Sequence, residues 1–201
     1  MTFLPEETAT KSAMTITVVA YDPEWPQTFA KLRDQVWPAV REAVLAIEHV
    51  GSTSVPGLAA KPVIDISVVV GDTADVATAI TGLAKLGYVH RGNLGIAGRE
   101  AFHAPPGTLA HHLYVCPQGS LGLRNHLAFR DYLRTHPAAV QAYGELKQRL
   151  ARQFADNIDG YVDGKTEFIL AILAQAELTS AELESIGRAN RLDSSSGGKA
   201  E

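Results

Sequence analysis

The sequence predicts a mixed α/β (α+β) domain: a sheet with flanking helices, then a C-terminal helical segment. Three observations carry this reading. Residues 63–70 form a β-branched run that is apolar apart from Asp65 and Ser67, as in a strand central to a sheet. Up to residue 116, helical spacing and strand-like alternation take turns along the chain. From residue 121 to 178 the apolar spacing is helical, interrupted only by short breaks.

The elements follow in order. Residues 1–13 carry Glu6, Glu7 and Lys11 without an apolar core, so a flexible leader is expected and a signal peptide is not. Residues 15–21 read as extended. Pro23, Trp25 and Pro26 mark a turn, and Pro26 suits the first turn of a helix, where its missing N–H costs nothing. Phe29, Leu32, Val36, Val40, Val44 and Leu45 then recur at helical spacing, with Pro38 predicting a kink or break near residues 36–37. Residues 47–50 are a short strand, and 51–62 a loop rich in Gly, Ser, Thr and Pro. After the strand at 63–70, Asp72 or Thr73 caps a helix through Leu86, and Gly87 ends it. Residues 88–91 and 100–103 are strands around a Gly-rich turn, and 109–116 alternate as another strand. Helices are expected over 121–135, 138–156 and 164–178. The chain ends with Ser194-Ser195-Ser196-Gly197-Gly198, so 181–201 read as a disordered tail. The domain is thus 14–180, with 136–180 its C-terminal helices.

Composition narrows the function. The 201 residues are 46% hydrophobic and 20% charged, enough to bury a core. A net charge of −4 argues against long nucleic acid as a partner, since phosphate-backbone binding needs a concentrated positive surface. No apolar stretch approaches the roughly 20 residues of a membrane helix. The lone Cys116 excludes an intrachain disulfide and a Cys-based zinc site, and favours a reducing compartment, the cytoplasm. Cys116 is late on a buried-looking strand, a poor setting for a nucleophile.

Chemistry concentrates in residues 48–70, EHVGSTSVPGLAAKPVIDISVVV. A strand enters the Gly51-Ser52-Thr53 turn, whose backbone N–H groups and hydroxyls suit phosphate oxygens. Lys61 adds a positive charge. Twelve residues lie between Ser52 and Asp65. Strand periodicity sets Asp65 and Ser67 on one face and Ile64, Ile66 and Val68 on the other. A carboxylate inside an apolar strand is costly unless it is paired or metal-bound, which marks Asp65 as the candidate catalytic and metal-binding group. Glu48 could supply a second carboxylate if its strand lies beside that of Asp65; otherwise it is a surface residue. His111 and His112 are adjacent on a strand and point to opposite faces.

Three basic residues, Lys61, Arg130 and Lys165, could meet phosphate or an acidic substrate. His126 and Arg130 share a helix face, and Lys165 opens the last helix. Arg91 and Arg99, flanking a Gly-rich turn, are weaker candidates. Gly164-Lys165-Thr166 lacks the first glycine of a P-loop, and Gly92, Gly95 and Gly98 have the wrong spacing for a dinucleotide turn. No Gly-x-Ser-x-Gly elbow or His-Glu-x-x-His pair occurs.

The Gly51-Ser52 turn and Asp65 resemble the polymerase-β-like nucleotidyltransferase superfamily. There, carboxylates on a strand bind magnesium and the turn holds triphosphate. The second carboxylate position is Ser67 here. More of the chain is similar to the GrpB family, also called UPF0157. The matching strings are Tyr21-Asp22-Pro23-Glu24-Trp25-Pro26, His49-Val50-Gly51-Ser52-Thr53-Ser54-Val55-Pro56-Gly57-Leu58 and Lys61-Pro62-Val63-Ile64-Asp65-Ile66. Leu86-Gly87-Tyr88, His111-His112-Leu113, Asn125 to Leu133 and Tyr161…Lys165…Phe168 continue the match across about residues 15–175.

The resemblance implies a nucleotidyltransferase-like fold. It implies a cleft for a nucleotide or small phosphorylated ligand, with Gly51, Ser52, Thr53, Lys61 and Arg130 on the phosphates. A divalent metal, magnesium, would be held by Asp65 with Glu48 or His112, in support of nucleotidyl transfer to a small molecule. His112 or Tyr114 would occupy the third-ligand position, where the family often has His in place of Tyr114. The other function it implies is a non-catalytic accessory or folding module. In some bacteria the domain is fused to dephospho-CoA kinase, of coenzyme A biosynthesis.

Overall fold

A computed structural model describes residues 15–176 and 178–196. The expected leader lies outside the described residues, as do 197–201. Five strands form one mixed sheet: β1 (Val44–Val50), β2 (Ile64–Val70), β3 (Val89–His90), β4 (Glu100–His103) and β5 (His111–Pro117). Their spatial order is β1-β2-β5-β4-β3. β2 and β5 are parallel and every other neighbouring pair is antiparallel. The helices are α1 (Trp25–Val40), α2 (Thr73–Lys85), α3 (Leu121–Thr135), α4 (Pro137–Gln153), α5 (Ile158–Gln175) and α6 (Ser180–Ser196).

The two sheet faces divide as the β2 alternation predicts. Ile64, Ile66, Val68 and Val70 lie with Leu113 and Val115 on one face, buried against α1 and α2. Asp65, Ser67 and Val69 share the opposite face with His112, Tyr114 and Cys116. α3 covers the Cys116 end through Leu123 and Leu127. A second core joins α3, α4, α5 and α6 and includes Val55 and Leu58 of the loop before β2. That loop is therefore held between the sheet and the C-terminal helices.

Local chemistry sets several helix starts. The Asp72 carboxylate accepts N–H bonds from Ala74 and Asp75 at the head of α2. Ser120 caps α3 and Asn157 caps α5 in the same way.

Four expectations need correction. Val44 and Leu45 belong to β1, because α1 ends at Val40. α1 runs through Pro38 without a break; the proline falls in its last turn, where fully buried Val36 and Val40 hold the helix to the core. α5 starts at Ile158 rather than 164, at the Asn157 cap. The tail expected over 181–201 is a helix, α6, as far as Ser196. Its start is a reciprocal cap. Thr179 N–H donates to the Glu182 carboxylate at 2.9 Å, and Glu182 N–H returns a bond to Thr179 Oγ1. Arg124 of α3 grips Glu182 with two bonds of 2.7 and 3.0 Å, and Ile186 and Ala189 are buried. Among the described residues no helix is long and apolar enough to cross a membrane.

Candidate functional site

The segment 48–70 folds back on itself as an antiparallel pair, with Val50 opposite Asp65 and Glu48 opposite Ser67. The turn starts at Gly51, with φ +67° and ψ −171°. This backbone region is open essentially to glycine alone. A second constraint acts there: a Cβ on Gly51 would lie 2.1 Å from Asp65 Oδ2. Glycine is thus what lets the turn close onto the carboxylate.

Asp65 Oδ1 accepts from His112 Nδ1 at 2.9 Å across the parallel β2–β5 register. Burial opposes the Asp65 charge, yet the His112 hydrogen bond and the neighbouring imidazoles hold the carboxyl below its ordinary range. His111 faces the other way. It bonds the Tyr88 hydroxyl and the Leu109 carbonyl, both at 2.6 Å, and is a buried structural residue.

Beside Asp65 is a cavity of about 360 Å³ lined by Ser52, Lys61, Asp65, His112, Lys147, Tyr161 and Lys165. Three lysines from three segments converge on it: the loop before β2, α4 and α5. Lys147 is only 2% exposed. Its ammonium donates to Ser52 Oγ at 2.9 Å and lies 4.6 Å from the Tyr143 ring centre. Burial, reinforced by repulsion from Lys165, brings its pKa down to about 6. Lys165 lies 4.2 Å from the Tyr161 ring centre. Burial and then repulsion from Lys61 bring its pKa down to about 8. Among the described residues none of the three lysines forms an ion pair with a carboxylate. The cavity gathers three lysines against a single carboxylate, Asp65.

Ser52, Lys61, Asp65 and His112 are thus brought together from the residues singled out in the sequence, and Lys165 joins them. The others go elsewhere. Thr53 is buried and locks the turn: its hydroxyl bonds His49 Nε2 at 3.0 Å and donates to the Val63 carbonyl at 3.3 Å. Gly51 borders a different, smaller cavity. Arg130 does not line the lysine pocket. Its Nη1 donates to Glu48 at 2.6 Å and to the His49 carbonyl at 3.1 Å. Arg134 adds two bonds to the Ser54 carbonyl. Arg130 and Arg134 of α3 clamp the turn from behind.

β1 does lie beside β2, as a second carboxylate from Glu48 requires, but that carboxylate is engaged by Arg130. The Ser67 hydroxyl is engaged with His126 Nδ1 at 2.8 Å. Among the described residues no group of three or more His, Cys, Asp or Glu side chains could hold a metal ion. One carboxylate beside three lysines does not fit magnesium, which seeks several hard oxygen donors. Cys116 is fully buried, and desolvation pushes its thiol up to about 12, so it is no nucleophile.

Lys147 is the residue that sequence reasoning missed. Its signal was there: Tyr143, Lys147, Leu150 and Ala151 form the buried stripe of α4, so a lysine sits where an apolar residue is expected.

Comparison with known proteins agrees with this architecture. A GrpB protein of Enterococcus faecalis, solved by crystallography, superposes with a TM-score of 0.72 at 37% identity, covering 80% of this chain and 96% of that one. The UPF0157 protein YqkA of Bacillus subtilis is 36% identical over 154 residues, which are 77% of this chain and 45% of YqkA. A dephospho-CoA kinase of Mycolicibacterium paratuberculosis is 29% identical over 173 residues, 73% of this chain and 42% of the kinase. The chain thus spans less than half the length of these last two relatives. The GrpB family profile matches residues 15–175, the stretch that holds the whole sheet, the turn and the lysine pocket, and the chain belongs to the GrpB family.

Proposed function

We propose that the lysine pocket binds the phosphate groups of a nucleotide or another small phosphorylated ligand, with the lysines supplying the positive charge. The observation that supports it most is the convergence of Lys61, Lys147 and Lys165 with the Ser52 hydroxyl on one cavity of about 360 Å³. Burying an ammonium without a counter-charge is costly, and a phosphate oxyanion removes that cost. Ser52 and Lys147 are already hydrogen-bonded, so the donors are arranged before the ligand arrives.

This site suits a ligand phosphate bound without magnesium. On this reading Asp65 is a turn-organising group: its Oδ2 abuts Gly51 and its Oδ1 holds His112. Transfer of a nucleotidyl group to a small acceptor is the further activity that the family's resemblance to nucleotidyltransferases suggests for this cleft. His112 and Asp65 line the same cavity as the lysines.

The test is a thermal shift with inorganic phosphate, AMP and ATP, each with magnesium and with chelator. Ligand at about ten times its Kd adds ~1.4 kcal/mol of stability, or roughly 3–6 °C for a domain of this size. The expected shift persists in chelator and is lost in Lys147→Met. No shift with any of them at millimolar concentration would overturn the proposal.

The second reading is an accessory or folding module for dephospho-CoA kinase, suggested by the kinase relative that carries a similar segment. Such a module needs a contiguous apolar docking face. On α3–α6, among the described residues, Ile158 is the one large apolar side chain that stands exposed, and it borders the lysine pocket. These four helices therefore favour the ligand-binding reading; Trp37, Leu45, Leu86, Val89, Leu94 and Leu109 are exposed elsewhere. Co-purification and titration calorimetry with the kinase decide between them.

A further inference from the structure

We propose that the small cavity behind Gly51 is a second anion site, built on Arg99, that receives the carboxylate or phosphate oxyanion of a small ligand. The cavity has a volume of about 180 Å³ and is lined by Gly51, Arg99, Asn125, His126, Phe129 and Asn190 among others. That is room for one such group and a few attached atoms. It is carried by observations independent of the lysine pocket.

Arg99 is the decisive residue. Only 9% of it is exposed, and its Nε has no hydrogen-bond partner. Its Nη2 reaches the Asn93 carbonyl at 3.5 Å, the limit of a hydrogen bond, and its guanidinium stands 5.1 Å from the Tyr114 ring centre. It takes part in none of the ion pairs formed among the described residues.

A buried lysine can relieve such a position by losing its proton, but a guanidinium cannot. Arg99 therefore holds a permanent charge away from water with its Nε–Nη2 edge nearly unused. An oxyanion in the cavity supplies the missing counter-charge, and side-on docking with two parallel bonds requires the packing over the buried Nε to yield.

The rest of the lining suits the same guest. No acidic side chain lines the cavity. Asn125 and Asn190 bring amide groups able to donate to oxygens. His126 bonds Ser67 through Nδ1, and burial followed by repulsion from Arg99 brings its pKa down to about 4. The ring is neutral near pH 7, so Arg99 is the charge in the wall. Asn190 comes from α6, beyond residue 175 where the family match ends, so a helix outside that match closes the cavity.

The test reads the arginine Nε–H signals of the full chain by NMR, with the Arg99 signal identified by its loss in Arg99→Met. The probes are sodium phosphate and sodium acetate, with sodium chloride at matched ionic strength as control. The expected result is a saturable shift of the Arg99 signal with phosphate, acetate or both, absent with chloride and retained in Lys147→Met. Acetate alone marks a carboxylate site, and phosphate alone a phosphate site. Asn190→Ala should weaken saturation by roughly ten- to a hundredfold, the value of one hydrogen bond to a charged group. Arg99→Met should melt no lower than wild type, since it removes an unbalanced buried charge. An Arg99 signal unmoved by either anion up to tens of millimolar, or moved equally by chloride, overturns the proposal. So does an Arg99→Met variant in which the Asn125 and Asn190 amide signals still respond. Should Arg99→Met not fold, Asn190→Ala and the wild-type titrations decide alone.

Discussion

Raising the pH from 7 to 8 should weaken phosphate binding at the lysine pocket about tenfold while stabilising the empty protein. Lys147 titrates near 6 and Lys165 near 8 in the folded chain, against an ordinary lysine value of 10.5. At pH 7 about nine-tenths of Lys147 is neutral and most of Lys165 is charged. A bound phosphate dianion favours the charged form of both. Binding at pH 7 therefore takes up close to one proton, and at higher pH close to two. One proton taken up costs about tenfold in affinity per pH unit. The second ionisation of a phosphomonoester lies near pH 6 and is nearly complete across this window, which makes AMP the probe in place of inorganic phosphate.

Stability moves the opposite way. The unfolded chain keeps its lysine proton up to about 10.5, while folded Lys147 has released it above about 6. In that window the unfolded state binds more protons, so stability rises with pH. The 2% exposure of Lys147 leaves little solvent screening, so its contribution is ~1.4 kcal/mol per pH unit. The assay is titration calorimetry with AMP in two buffers of different ionisation enthalpy, alongside melts of the empty protein across the same pH range. Lys147→Met should flatten the stability slope and raise the melting temperature of the empty protein. The other titratable groups facing Lys147 are Lys61, Asp65, His112, Tyr143, Tyr161 and Lys165, which keep their places in that variant. An AMP affinity that is flat from pH 7 to 8, or proton release on binding, would refute the reasoning.

Asp65→Asn removes the charge that holds His112 and should cost roughly 1.5–3 kcal/mol, read in chemical melts. The loss should be equal with magnesium, manganese and chelator; a metal-dependent rise in the wild type alone would restore Asp65 as a metal ligand. Because folding lowers the Asp65 pKa, its contribution is present above the unfolded value near 3.8 and fades as the pH falls through the folded one. Acid melts of the two proteins should therefore converge. Gly51→Ala meets both an unsuitable φ and the Asp65 carboxylate, so a loss of at least about 1–3 kcal/mol is expected. In the double variant with Asp65→Ala part of that loss should return, and strict additivity would show the carboxylate contact to be irrelevant. Arg130→Met strands Glu48 and the His49 carbonyl, and should cost about 1–3 kcal/mol with phosphate affinity unchanged within twofold. A large loss of affinity at unchanged stability would return Arg130 to the ligand.

The sheet was legible because its decisive information is local. The β2 run shows its own two-residue period, and the residues that interrupt it, Asp65 and Ser67, mark the functional face. Element ends were less legible. Val44 and Leu45 fit a helical spacing begun at Phe29, yet tertiary pairing with β2 draws Val44 into a strand. α6 was misjudged because its serine-rich end hid the start. Thr179-Ser180-Ala181-Glu182 is a capping box, and Leu183, Ile186 and Ala189 follow at helical spacing.

The site divides along the same line. Ser52, Lys61 and Asp65 were found because one short segment holds them all. Arg130 was placed on phosphate by the family resemblance, because the sequence shows only its charge, while Glu48 and the His49 carbonyl that engage it lie 82 and 81 residues away. Lys147 and Arg99 show the deeper difficulty. Each is a common surface residue by type, and each acquires its chemistry from burial that distant elements impose. For Lys147 a trace remains, since its own helix repeats apolar residues around it. For Arg99 no local trace exists: it follows a Gly-rich turn, and what removes it from water is Tyr114 of β5 together with the cavity wall that α3 and α6 complete. A charge whose burial is decided entirely by other elements can be recognised only once those elements are assembled, and that is the kind of residue on which both proposed anion sites depend.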